Sequence, residues 1–314
     1  MSLFQLRQTV LLLITATIWG LSFVAQSVGM DHVGPFTFTA SRMFLGALVL
    51  LPFVLWNRSR LAASNPAEHA RRTSPAYMKM LLLGGAACGL CLFGGESLQQ
   101  FGLVHDTEVG KAGFITALYI VLVPVFSTVL GKKAKKSIWL CVIAAVAGLY
   151  FLCFDGSSTL SFSSGDMYVF LSAFAFTAQI LAVDYFVQQV DGIALSCAQF
   201  AVVIMLSAIG ALAFGEHTTL EAVKTCIPYL LYVGVVSSGV GYTLQIIAQK
   251  DGDPTVVSLL LSLESFFAVV CGAIVLHERM SLREYFGCAL MLAAVILSQL
   301  PEKSAKAVES GKKE

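Results

Sequence analysis

Charge is what this sequence has least of. Asp, Glu, Lys and Arg make up 12% of its 314 residues, where a soluble protein carries about 25%, so there is too little polar surface to wrap a core of this size. Histidine is scarce as well: His32, His69, His105, His217 and His277 all fall in connectors or at the ends of apolar runs. No HExxH segment occurs, because His277-Glu278 is followed by Arg279-Met280-Ser281, which removes the usual zinc-hydrolase arrangement. No Walker motif is present, so ATP-driven transport by this chain alone is not expected. VVSSGVGY at 235–242 holds serines in an apolar run but has neither a GxSxG pattern nor a histidine base at the same depth. A pair of aspartates at membrane depth is also missing. A membrane-embedded enzyme therefore has little to work with. A channel or scramblase is harder to set aside, although the repeated ring or filter of a pore is not seen.

What the sequence does have is apolar length. Hydrophobic residues make up 57% and the mean hydropathy is +0.80. Ten runs of about 20 residues can each cross a bilayer, at roughly 8–28, 35–56, 78–103, 108–130, 137–154, 167–187, 192–214, 228–249, 254–276 and 281–300. The fold class expected is an all-α polytopic membrane protein with ten transmembrane helices, its lipid partner the bilayer itself. The segment 57–77 is the one sizeable polar loop, and 301–314 reads as a charged, disordered tail. Ala25-Gln26-Ser27 resembles a signal-peptide cleavage site, but only Arg7 precedes the run, so the first run reads as a span. With the N-terminus inside, Lys and Arg in alternate connectors divide about fifteen inside to four outside, which places both termini in the cytoplasm. GKKAKKS at 131–137 reads as an anchor of that kind and not as a nucleic-acid patch. The eight cysteines mostly lie in apolar runs and read as small packing residues, Cys88-x-x-Cys91 included.

The chain looks internally repeated. Trp19 in TIWGLSFV and Phe176 in FAFTAQIL hold matching places, Arg42 falls opposite Gln199, and SLQQFGLVHDTEV aligns with TLQIIAQKDGDPT. TALYIVLVPVF is followed in the same order as LSLESFFAVV, and CVIAAVAGLYFL matches GCALMLAAVILS. Five helices per half is an odd number, so the second half enters the membrane inverted. Such halves are the architecture of many secondary transporters, with the site at their interface near the midplane. The expected division is 1–156, 157–300 and the tail 301–314.

TIWGLSFV, TEVGKAGFITALYIVLVPVF and SLESFFAVVCGAIVLHERMS resemble the EamA family of the drug/metabolite transporter superfamily, over about residues 10–300. The resemblance implies two inverted EamA-type repeats, alternating access, and export of a small-molecule substrate such as an amino acid, another metabolite or a drug, across a bacterial cytoplasmic membrane and without a cofactor. Where the family commonly reads SLEP, this chain reads Ser262-Leu263-Glu264-Ser265, which puts a kink there in doubt.

Ionisable residues at membrane depth cost roughly 2.5–3.5 kcal/mol each on insertion scales, and so face a cavity or a partner. Three stand out: Arg42, Glu96 and Glu264. Glu264 reads either as a contact for a substrate amine or a proton, or as a packing residue satisfied by a neighbour. Arg42 and Glu96 lie in adjacent helices and can form a salt bridge, as a structural staple or as an outer gate; Glu96 shares with Glu264 the candidacy for proton coupling. Gln99, Gln100, Gln179, Gln199 and Gln245 read as glue between helices or as substrate contacts. Trp19, Phe114, Tyr119, Phe176 and Tyr242 can pack, or line a pocket for a flat or cationic ligand. Lys111 is placed to snorkel, Gly110, Ala112 and Gly113 to allow close approach, and Pro124 to kink or loosen its helix, either as a moving part or as a static bend.

Overall fold

The computed structural model describes residues 3–30, 32–105, 107, 109–132, 136–153, 163–275 and 281–299. The expected division at 156/157, Glu108, Lys133, Lys135, the His277–Arg279 segment and the tail lie outside them. The first half contains α1 (Leu3–Met30), α2 (Pro35–Ser64), α3 (Pro66–Thr73), α4 (Pro75–Val104), α5 (Val109–Thr116), α6 (Tyr119–Val129) and α7 (Lys136–Cys153). The second contains α8 (Ser164–Phe186), α9 (Gly192–Ala213), α10 (Leu220–Leu231), a π-helical stretch (Tyr232–Tyr242), α11 (Thr243–Gln249), α12 (Pro254–Leu261), α13 (Leu263–Val275) and α14 (Leu282–Gln299). No strand occurs among the described residues. By length and apolarity, 7 helical segments among them can cross a membrane, and Ser137–Phe151 and Pro254–Ala268 are shorter apolar helices.

The polar segment 57–77 is not a loop. α2 continues through it to Ser64, and α3 follows at once. The cause is local: Asn65 and Ser74 are N-caps whose side chains accept from Glu68 N and Tyr77 N, each followed by a proline at the first helical position. In α3, hydrogen bonds from Arg71 and Arg72 hold the Glu68 carboxyl down at about 2. Arg72 also reaches Asp191, the N-cap of α9, at 2.8 Å, so this end of the bundle is tied across the halves. At the other end Glu216 accepts from Phe36 N at 3.0 Å and Thr37 N at 2.7 Å, and so caps α2 from the second half.

The packing is symmetric between the halves. Match α1, α2, α4, α5–α6 and α7 in order with α8, α9, α10–α11, α12–α13 and α14. Then α4 on α8 answers α11 and the π stretch on α1, and α1 on α13 answers α8 on α5 and α6. The pairs α2–α9, α6–α12 and α7–α14 join matched elements to each other. Small residues make these approaches possible. A Cβ on Gly85 would lie 2.5 Å from Ala198 Cβ, and one on Gly148 would lie 2.9 Å from the Gly287 carbonyl oxygen and 2.7 Å from Met291 Cγ. Since backbone cannot yield as a side chain can, Gly148→Ala is expected to destabilise the fold by about 1–3 kcal/mol. Thermal unfolding of the detergent-purified variant reads this, and an unchanged midpoint would contradict so close a contact between α7 and α14.

Candidate functional site

Two helix breaks shape the centre of the molecule. α5 stops at Thr116 and α6 begins at Tyr119, bridged by tightened turns in which Leu118 N donates to Ile115 O at 3.2 Å and Ile120 N to Ala117 O at 3.0 Å. α12 stops at Leu261 and α13 begins at Leu263. Here Ser265 N donates to Ser262 O at 3.3 Å, and the Ser262 hydroxyl turns back to Leu259 O at 2.9 Å. Thus the discontinuity expected at Pro124 lies ahead of it, at 117–118, with Pro124 inside α6. A break is present beside Glu264 although the proline is not. The first residue of α6 then meets the second of α13: Tyr119 Oη donates to Glu264 Oε1 at 3.0 Å.

Around this bond lies a narrow cavity of about 40 Å³. Trp19, Tyr119, Phe176, Gln179, Gln245 and Glu264 all line it, as do Arg42 and Glu96. Ser22, Phe23, Gln26, Gln99, Thr116, Ile180, Ser237, Tyr242 and Leu261 complete the wall. Phe114 packs into apolar clusters instead, and Pro124 does not reach the cavity. The missed residues Ser22, Gln26 and Ser237 carry no charge, and their helical phase alone did not mark them.

Arg42 is 2% exposed and fully engaged with its surroundings. Nη1 donates to Glu96 Oε2 at 2.7 Å and Gln26 Oε1 at 2.8 Å; Nε donates to Ser238 Oγ at 3.0 Å and Nη2 to Ser237 Oγ at 3.3 Å. Tyr242 Oη donates to the other Glu96 oxygen, and its ring lies 4.8 Å from that of Trp19. Trp19 Nε1 donates to Ser237 O at 3.3 Å. The arginine therefore joins α1, α2, α4 and the π stretch. Such stretches recur at functional sites.

Glu264 differs. It is 4% exposed, and among the described residues it forms no salt bridge. The same wall holds two glutamines of an amide chain that runs on to Gln199: Gln245 Nε2 donates to Gln179 Oε1 at 3.2 Å, and Gln179 Nε2 to Gln199 Oε1 at 3.4 Å. Gln245 Oε1 and Gln199 Nε2, the two ends of the chain, have no partner among the described residues. Gln99 instead donates to Thr116 at 2.9 Å, next to the first break. Lys111 does more than snorkel: it meets the buried Asp166 at 2.5 Å. Lys132 pairs with Asp184, so α8 holds both ends of the broken α5–α6 segment.

The EamA-like transporter family matches this chain twice, over residues 7–154 and 163–300. The chain belongs to that family. An uncharacterised transporter of Archaeoglobus fulgidus is 29% identical over 292 residues, covering 92% of this chain and 84% of the relative. The uncharacterised transporters YwfM and YoaV of Bacillus subtilis are 25% and 22% identical, covering 93% and 90% of this chain and 93% and 92% of their own lengths. A solved crystal structure superposes with a TM-score of 0.74 at 16% identity, covering 93% of this chain and 96% of that one, which speaks to the fold alone. The chain is thus an integral membrane transporter of the EamA-like family, acting on a small molecule.

Removing one member of a buried ion pair leaves the other charge unpaired, at about 3–5 kcal/mol. Glu96→Gln is expected to lower stability by that order, and Arg42→Met in the same chain to recover much of it. A double-mutant cycle by thermal unfolding measures the coupling; additive losses would show that the pair contributes nothing as a pair.

Proposed function

We propose that this chain is a secondary-active transporter that exports small polar or amphipathic metabolites, amino acids among them, by alternating access. Ten spans form two inverted five-helix repeats in a bacterial cytoplasmic membrane, with both termini cytoplasmic. The observation that carries this reading is the cavity: it takes its wall from both halves, with Trp19 and Tyr119 from one and Phe176, Gln179, Gln245 and Glu264 from the other. At about 40 Å³ it has room for about three waters, so a metabolite enters only when the halves part. The two helix breaks supply points at which they can bend. The reciprocal packing of matched elements supports the repeat, and an odd number of spans per half makes it inverted.

In this mechanism substrate binds between the aromatic rings and Glu264, and rocking of the halves exposes it to alternate sides. Arg42 and Glu96, with Tyr242 on the carboxylate, form the gate on their side of the cavity, holding α1, α2 and α4 to the π stretch and releasing them on opening. Pro124 loosens the lower part of α6 beyond the break. Protons couple through Glu264 or Glu96. A buried carboxylate is costly to leave charged and alone, so Glu264 is the group that most needs a proton or a substrate cation.

The test is counterflow of labelled metabolites into proteoliposomes as a function of pH. Wild-type flux is expected to vary with pH, and the variation to disappear in the double variant Glu96→Gln, Glu264→Gln. A pH profile unchanged in that variant removes proton coupling through these carboxylates. Imposed gradients of either sign then separate export from uptake or exchange.

A further inference from the structure

One carboxyl group of the cavity has no cationic partner among the described residues, and this bears on which ligands the cavity takes. Its wall holds one guanidinium and two carboxylates besides the tyrosines. Arg42 and Glu96 cancel at 2.7 Å, and the guanidinium spends its remaining contacts on Gln26, Ser237 and Ser238. Glu264 receives only the neutral Tyr119 hydroxyl among the described residues. Gln245, 1% exposed and in the same wall, holds a carbonyl oxygen with no partner among them. Both unmet groups are acceptors, and one is a carboxyl group with no cation beside it among the described residues. The rings of Trp19, Tyr119, Phe176 and Tyr242 share the wall, and ring faces attract cations.

We propose that the site takes a protonated primary or secondary amine on an apolar or aromatic body, its ammonium on Glu264, and rejects the same body when it also carries a carboxylate. This rests on the transporter reading above and narrows its substrate class to amines, in place of the amino acids named there. A ligand carboxylate would find the cavity's one guanidinium already committed to Glu96, and would lie beside a second carboxylate of like charge. An amine supplies the positive charge and the N–H donors that Glu264 and Gln245 lack. The aromatic rings give the body a surface without adding charge.

The test compares three molecules of one body: phenethylamine as cation, phenylalanine as zwitterion and 3-phenylpropionate as anion. Binding to the detergent-purified full chain is read by calorimetry and by thermal shift, since a ligand of the folded state raises its apparent stability. Phenethylamine is expected to bind at least about tenfold more tightly than phenylalanine, with no binding of the anion, and Glu264→Gln to weaken the amine by at least about tenfold. The glutamine keeps an oxygen for the Tyr119 hydroxyl, and Glu264→Asp, which keeps the charge, is expected to recover part of the affinity. Phenylalanine binding as well as the amine, amine binding that survives Glu264→Gln, or no amine binding at all would each overturn the inference. Counterflow of labelled amino acids without amine binding would sink the inference and leave the transporter reading intact. Amine binding without flux of any metabolite would do the reverse.

Discussion

A guanidinium sealed inside a bundle of apolar helices has to be answered from every side, and much of the centre of this molecule follows from how Arg42 is answered. Transfer of an unpaired charge out of water costs far more than a fold's margin of stability. Four elements therefore converge on one side chain: α1 through Gln26, α2 through the arginine itself, α4 through Glu96 and the π stretch through Ser237 and Ser238. The wide turn of that stretch brings two consecutive serines to one guanidinium while the Ser237 carbonyl takes the Trp19 indole. Tyr242 closes the circuit by holding the second oxygen of Glu96. Removing any one member unbalances the others, which suits the all-at-once opening of the gate we propose.

The apolar runs were readable because a bilayer span has a fixed length: among the described residues 7 helical segments are long and apolar enough to cross, and Ser137–Phe151 and Pro254–Ala268 are shorter apolar helices. The charged trio was readable for the same reason: a charge inside such a run is conspicuous, and all three converge on one cavity. Four of the wall's aromatic residues and both of its central glutamines were visible too, by their place in the repeat or their polarity. Other features were not legible. The segment 57–77 looks like a loop by polarity, yet Asn65-Pro66 and Ser74-Pro75 are helix starts, and their signal lies in two dipeptides that composition averages away. Asp166 and Asp184 stand at opposite ends of α8, where a charge next to an interface excites no notice; their pairing with Lys111 and Lys132 depends on helix rotation that sequence spacing leaves open.

The helix breaks show why a proline is a poor guide to flexibility in this setting. Proline removes one backbone donor and loosens the turn before it, but a serine can also disturb that turn by hydrogen-bonding to a preceding carbonyl. Ser262 does so at the second break, where the proline that would have marked the site is missing. At the first break the chain contains neither residue: Ala117 and Leu118 are held in tightened turns, and the proline that is present lies further along α6. In both halves the break falls within two residues of the side chain that enters the cavity. It is the junction that recurs between the two halves, while the residues that form it differ.

Glu96 and Glu264 make the closing contrast. Both are carboxylates at membrane depth and both are buried, so any argument from sequence treats them alike. Their surroundings make them different groups. Glu96 is held by an arginine and a tyrosine in a closed network; to act on a substrate it would first have to break that network. Among the described residues Glu264 has one tyrosine hydroxyl, and it stands next to a helix break. In the proposed mechanism it is therefore the group that answers a ligand entering the cavity. In the mechanism we propose the two carboxylates divide the work: Glu96 holds the halves together until a ligand arrives, and Glu264 registers the arrival. The short path from Glu264 through the break at Ser262 to the helix before it would give that arrival a mechanical consequence in this mechanism, by passing a shift of the carboxylate toward a ligand to the turn where α12 and α13 join.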